Sequence, residues 1–111
     1  MNYVEFVAGN QEYKLRLPTK GIVALEKQLG CNPLAIFGDG DTIPTITTMI
    51  AILHQSLQAL NHGINLDKTF DIWDAWLNDG HSMTDFLPII IEIYKHSGLI
   101  RVEETEEEVK N

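Results

Sequence analysis

A single cysteine, Cys31, stands in the 111 residues. No intramolecular disulfide can form, and a Cys-based zinc site is excluded; a lone thiol suits a reducing compartment. Basic residues are scarce: 8 Lys and Arg against 16 Asp and Glu give a net charge of −8. That balance is a poor footprint for nucleic acid, whose phosphates need a basic patch, and it suits neutral or basic partners instead. The opening MNYVEFVAGN lacks a basic start followed by an apolar run, so no signal peptide is expected. The largest absence lies inside the chain. From Pro44 to Leu66 there is no Asp, Glu, Lys or Arg. The stretch holds too many Thr, Gln, Asn and His for a membrane span.

What is present reads as one α+β domain over residues 1–102, followed by an acidic disordered tail over 103–111. A chain of this size can bury about two-thirds of its extended surface, enough for a modest core without staples. Asn2 to Val7 and Glu12 to Leu17 flank Ala8-Gly9-Asn10-Gln11. With Gly9-Asn10 as a two-residue turn, Phe6 faces Tyr13, Val4 faces Leu15 and Glu5 faces Lys14. This register sorts Val4, Phe6, Tyr13 and Leu15 to one face and Glu5, Lys14 and Arg16 to the other. An isolated hairpin is marginal, so its apolar face needs helices to cover it.

The rest of the chain supplies four to five helices. Thr19 is the expected N-cap of a helix through Leu29, with Ile22, Leu25 and Leu29 inward and Gly30 as its stop. Asn32-Pro33 starts a short helix ending near Phe37. The charge-free helix is expected from about Ile43 to Asn61, stopped by Gly63. Asp67 caps the next, which carries Phe70, Trp73, Trp76 and Leu77 inward. Ser82 or Thr84 caps a last helix to about Ser97, and Pro88 favours Thr84, because proline is tolerated only in the first turn. In that helix Phe86, Leu87, Ile89, Ile90, Ile91, Ile93 and Tyr94 cover nearly every face, which implies deep burial. Leu99 to Val102 suits a short third strand. Five Glu between 103 and 108 define the tail.

No catalytic constellation emerges. His54 and His62 lie two turns apart on one helix and cannot share an ion unaided, while His81 and His96 fall in a loop and at a helix end. Asp39-Gly40-Asp41 resembles the opening of a calcium loop, but the later ligands are missing, and a turn is expected. Gly38 and Gly40 precede no Gly-Lys-Ser/Thr, so they form no phosphate loop. Ser56 and Ser82 lack nucleophile-elbow context. Cys31, after a helix stop, is read as a small buried apolar residue or as a reactive thiol. Trp73 and Trp76, three apart on a helix, are read as core or interface. No cofactor is implied.

The charge-free helix is the remaining signal. Ile43, Ile46, Ile50, Leu53, Leu57, Leu60 and Ile64 form its apolar stripe, broadened by Met49, Ala51, Ile52 and Ala59. Its other side carries Thr45, Thr47, Thr48, His54, Gln55, Gln58, Asn61 and His62. Exposed helical faces usually carry Lys and Glu, whereas interface centres are depleted of charge. The helix is therefore either a spine packed on several sides or a surface covered by another chain. Thr48, Gln55, Gln58, His62, Trp73 and Trp76 are the candidate partner-binding residues. Replacing Gln55 and Gln58 with Glu is expected to weaken partner binding and to leave folding intact.

Several short motifs carry a resemblance. Tyr13, Leu15, Arg16 and Leu17 of EYKLRL, then Leu25, Glu26, Leu29 and Gly30 of ALEKQLG, then Asn32-Pro33-Leu34, precede the long helix MIAILHQSLQAL. This order resembles the tail assembly chaperones of long-tailed phages and prophages of Gram-positive bacteria, across most of residues 1–100. The resemblance implies a non-enzymatic protein of the host cytoplasm that binds the helical tape measure protein before the tail tube polymerises. It further implies self-association into a homo-oligomer. It also implies a longer, frameshifted form that recruits tail tube protein. Val109-Lys110-Asn111 can be encoded as GTA-AAA-AAC, which contains a slippery heptamer, and the gene's codons decide that point. Neither nucleic acid nor a membrane is among the implied partners. The alternative is a structural tail completion or connector protein of the virion. An acidic DNA mimic fits less well, because five of the 16 carboxylates fall in the tail.

Overall fold

The computed structural model describes residues 2–38 and 42–101. The Asp39-Gly40-Asp41 turn, Val102 and the acidic tail lie outside the described residues. The chain forms an N-terminal antiparallel hairpin followed by four α-helices, an α+β fold.

Strands β1 (Val4–Ala8) and β2 (Gln11–Leu15) pair in the expected register, with Val4 opposite Leu15, Glu5 opposite Lys14 and Phe6 opposite Tyr13. Gly9 and Asn10 both adopt positive φ, +58° and +67°. Two left-handed residues in a two-residue loop match the right-handed twist of the strands they join. The Gly9 amide donates to a carboxylate oxygen of Asp79 at 2.8 Å, which ties the turn to the third helix. Phe6, Ala8, Leu15 and Leu17 are buried, so the hairpin's inner face is the floor of the core.

Helix α1 (Thr19–Leu29) begins at its expected cap residue rather than after it. Pro18 is the N-cap, because its carbonyl accepts the Ile22 amide at 2.9 Å, and Thr19 is already helical. Gly30 ends the helix at φ +74°, a conformation that costs a residue with a Cβ. Asn32 then caps a single 3₁₀ segment, Pro33–Phe37, by accepting the Leu34 amide at 2.9 Å.

The charge-free helix, α2 (Ile46–Leu57), is shorter than its periodicity suggests. Proline disfavours helical backbone in the residue before it, so Ile43 does not join. Thr45 stays extended and caps the helix through Oγ1, 3.1 Å from the Thr48 amide. At the other end side chains take over carbonyls that further turns would have used. Gln58 Nε2 donates to the carbonyls of His54 (2.8 Å) and Ile64 (2.7 Å), and Asn61 Nδ2 donates to that of Leu57 (2.9 Å). Met49 through Leu53, Ser56 and Leu57 are all buried against α1, α3, α4 and β2. The helix is the spine of the core.

Asn65, not Asp67, caps α3 (Leu66–Asn78), its Oδ1 accepting the Lys68 amide at 2.8 Å. Asp67 instead places its charge in the first turn, where the helix dipole favours it. Before α4 (Phe86–Ser97) stands a 3₁₀ turn, Met83–Asp85, in which the Asp85 carboxylate accepts the Ser82 amide at 2.8 Å. Ser82 rather than Thr84 thus opens the segment, and Pro88 still falls within the first turn of α4. Phe86, Ile90, Ile93 and Tyr94 are buried, and the Tyr94 hydroxyl donates to the Pro33 carbonyl at 2.9 Å.

The expected third strand does not form over residues 99–101. The amides of Leu99 and Ile100 both turn back to the Tyr94 carbonyl, at 3.0 and 3.4 Å, and close the helix instead. Among the described residues the sheet keeps two strands. The open edge of β2 is met by α2 and the turn after it: Asn61 Oδ1 accepts the Lys14 amide, Asn61 Nδ2 donates to the Lys14 carbonyl, and the Arg16 amide donates to the Ser56 carbonyl. Among the described residues no helix is long and apolar enough to cross a membrane.

Candidate functional site

The neutral polar side of α2 is partly occupied within the molecule. Gln55 Nε2 donates to Gln28 Oε1 of α1 at 2.8 Å. Gln58 and Asn61 close the helix end and the sheet edge as described above. Thr48 is half-buried in the first turn, where its Oγ1 meets that of Thr45 at 3.1 Å. His54 is half-buried with its Nδ1 unpartnered, and burial pushes its pKa below the ordinary 6.5. Thr48, His54, Gln55 and Asn61 of this flank are half-buried, where an ion would lose part of its hydration, whereas Thr45, Thr47, Gln58 and His62 are exposed. Thr47 and His62 are exposed without a side-chain hydrogen bond to a described neighbour, and His62 lies in a small polar recess beside Glu12, Tyr13 and Lys68.

Trp73 and Trp76 belong to the core, each only 3% exposed. Their rings lie 5.3 Å apart, and Phe86 stands 5.1 Å from Trp73 and 5.8 Å from Trp76. Phe6 of the hairpin joins at 5.4 Å from Trp76, and the His81 ring stacks on the outer side at 4.7 Å. This aromatic cluster is what joins the hairpin to α3 and α4. The six expected binding residues therefore do not converge on one surface.

The surface that does converge lies between α2 and α3. Phe70, expected inside, is 46% exposed; Leu66 at 39% and Ile46 at 45% are exposed beside it. Together with Ile50, Leu77 and one side of Trp73 they line an open groove of about 460 Å³. Gln28 and Thr47 form its polar lip on one side and Asp74 on the other. The first turn of α2 stops short of covering α3, because Pro44 and the Thr45 cap end the helix there. Sequence reasoning placed the apolar residues of α3 on one inward face. Leu66, Phe70, Trp73 and Leu77 instead step by four, three and four along an arc beside the core arc of Thr69, Ile72 and Trp76, too wide for one neighbour to bury. That width was the available signal.

Among the described residues no group of three or more His, Cys, Asp or Glu is placed to hold a metal ion. Cys31 is an exposed free thiol, not the buried small residue that a cysteine usually is. The Tyr94 pKa is raised, first by burial and then by the nearby Cys31, so its phenol stays protonated and donates.

A two-stranded hairpin closed by four helices, with an apolar groove open at the α2–α3 junction, defines a small α+β module. The chain belongs to a family of unknown function, DUF6096, whose match spans residues 4–110. Comparison with curated proteins and with solved structures returns no significant match.

Proposed function

We infer that this protein is a phage tail assembly chaperone that acts without catalysis in the host cytoplasm and holds segments of the tape measure protein until the tail tube polymerises. The α2–α3 groove is the observation that carries the reading: half-exposed Ile46, Leu66 and Phe70 form one contiguous apolar surface beside Trp73. A contiguous exposed apolar patch in a small acidic domain marks an interaction site, and a groove between helices takes the apolar face of another helix. The order of motifs from EYKLRL to MIAILHQSLQAL supports the same reading through its resemblance to those chaperones. The virion connector alternative would use the same surface but stay in the particle.

Co-expression with the tape measure protein of the same phage genome tests the reading. The wild-type chain should raise the soluble fraction of that protein and co-purify with it, and mass spectrometry of finished particles should lack the chain. A tape measure protein equally insoluble with and without it rejects the chaperone, and recovery of the chain in purified virions replaces it with the connector.

A further inference from the structure

The charges around the groove say what kind of helix fits it. Asp74 is the one charged residue among those lining it, and it stands on the α3 lip. Two turns towards the start of α3, Asp67 continues this exposed edge, whereas Asp71 lies towards the hairpin, in a recess lined by Gly9, Gln11 and Lys68. At helical spacing Asp67 and Asp74 stand on the edge that borders the Leu66, Phe70 and Leu77 stripe. The sole ion pair among the described residues joins Lys95 to Glu92, so neither carboxylate has an internal counter-ion there. We propose that the groove binds an amphipathic helix of another protein, one with large apolar residues at three- and four-residue spacing and a row of Lys or Arg along one edge. The apolar stripe would lie on Phe70, Ile46 and Leu66, and the basic row against Asp67 and Asp74. From Leu66 to Leu77 the site is about 16 Å long, roughly three turns of a bound helix.

Charge disfavours the other occupants. The chain's own 103–108 segment carries five Glu, and a second copy brings another net −8; either would set carboxylates against carboxylates. The inference rests on the reading that this protein holds segments of another protein, and it adds the chemistry of that segment.

Two labelled synthetic helices test it by fluorescence anisotropy with the full chain. Both are about 18 residues, long enough to be helical, with one Leu stripe; one carries Lys along an edge and the other Glu at the same positions. The Lys-edged peptide should bind about tenfold or more tightly at low salt, with the gap closing as salt rises. The double variant Asp67→Asn, Asp74→Asn should erase the preference while leaving apolar binding. Phe70→Glu, at a half-exposed position, should abolish binding of both with the circular dichroism spectrum and melting temperature kept. Equal binding of the two peptides, binding that survives Phe70→Glu, or no binding of either overturns the inference. So does a dimer that dissociates on Phe70→Glu in analytical ultracentrifugation, which makes a second copy the occupant. Continued capture of the tape measure protein beside any of these results would leave the chaperone reading standing, and loss of capture as well would remove both.

Discussion

His54 lies half-buried on α2 with Nδ1 cut off from solvent and from any hydrogen-bond partner. Burial penalises the imidazolium, so its folded pKa falls below the unfolded 6.5. The sign of the linkage follows. As pH falls through the unfolded value, the unfolded chain takes up a proton that the folded chain resists, and stability declines. Urea midpoints measured between pH about 7.5 and about 5.5 should drop in the wild type and drop less steeply in His54→Gln. Parallel slopes would place the pH sensitivity elsewhere. Asn61 shows a different use of an uncharged residue. Its one amide serves both polar groups of Lys14 and the Leu57 carbonyl, so a side chain stands where a neighbouring strand would otherwise bond. An open strand edge invites pairing with other chains, and this amide covers it near its end, at Lys14. Neither role asks for charge.

The ends of α2 decide both the core and the groove. Gln58 holds two carbonyls through one amide nitrogen. A carboxylate in its place would meet both oxygens with no proton to give. Gln58→Glu should therefore lower stability by about 1–2 kcal/mol in urea titrations, contrary to the sequence expectation that it leaves folding intact. An unchanged midpoint would show that water replaces these bonds at no loss. The hairpin was the most legible element, because turn chemistry and face sorting fix the same register independently. Helix α2 was legible as a spine but not in length. Its apolar period runs on through Ile43 and Leu60, whereas Pro44 upstream and the Gln58 and Asn61 amides downstream end the helix, and only the first of these is visible without coordinates. Phe70 was misread for a related reason. Periodicity says which residues share a side of α3, but whether a neighbour reaches that side depends on where α2 begins. The third strand failed similarly, since Leu99 and Ile100 have apolar character that serves equally well folded back onto α4 beside Tyr94.

At the scale of the molecule, the aromatic cluster of Phe6, Trp73, Trp76 and Phe86 holds the hairpin, α3 and α4 together from inside, and α2 threads between them. The two tryptophans are core residues, Trp73 also facing the groove, and the proposed partner surface is the α2–α3 groove rather than the polar flank around Gln55 and Gln58. The two surfaces are separable by experiment. With p-benzoyl-phenylalanine in place of Phe70, or of Gln55 on the polar flank, irradiation during co-expression reports which surface lies against the tape measure protein. The groove account predicts a cross-link from position 70 and none from position 55. A cross-link from 55 alone, or from neither position while the two proteins still co-purify, would contradict it.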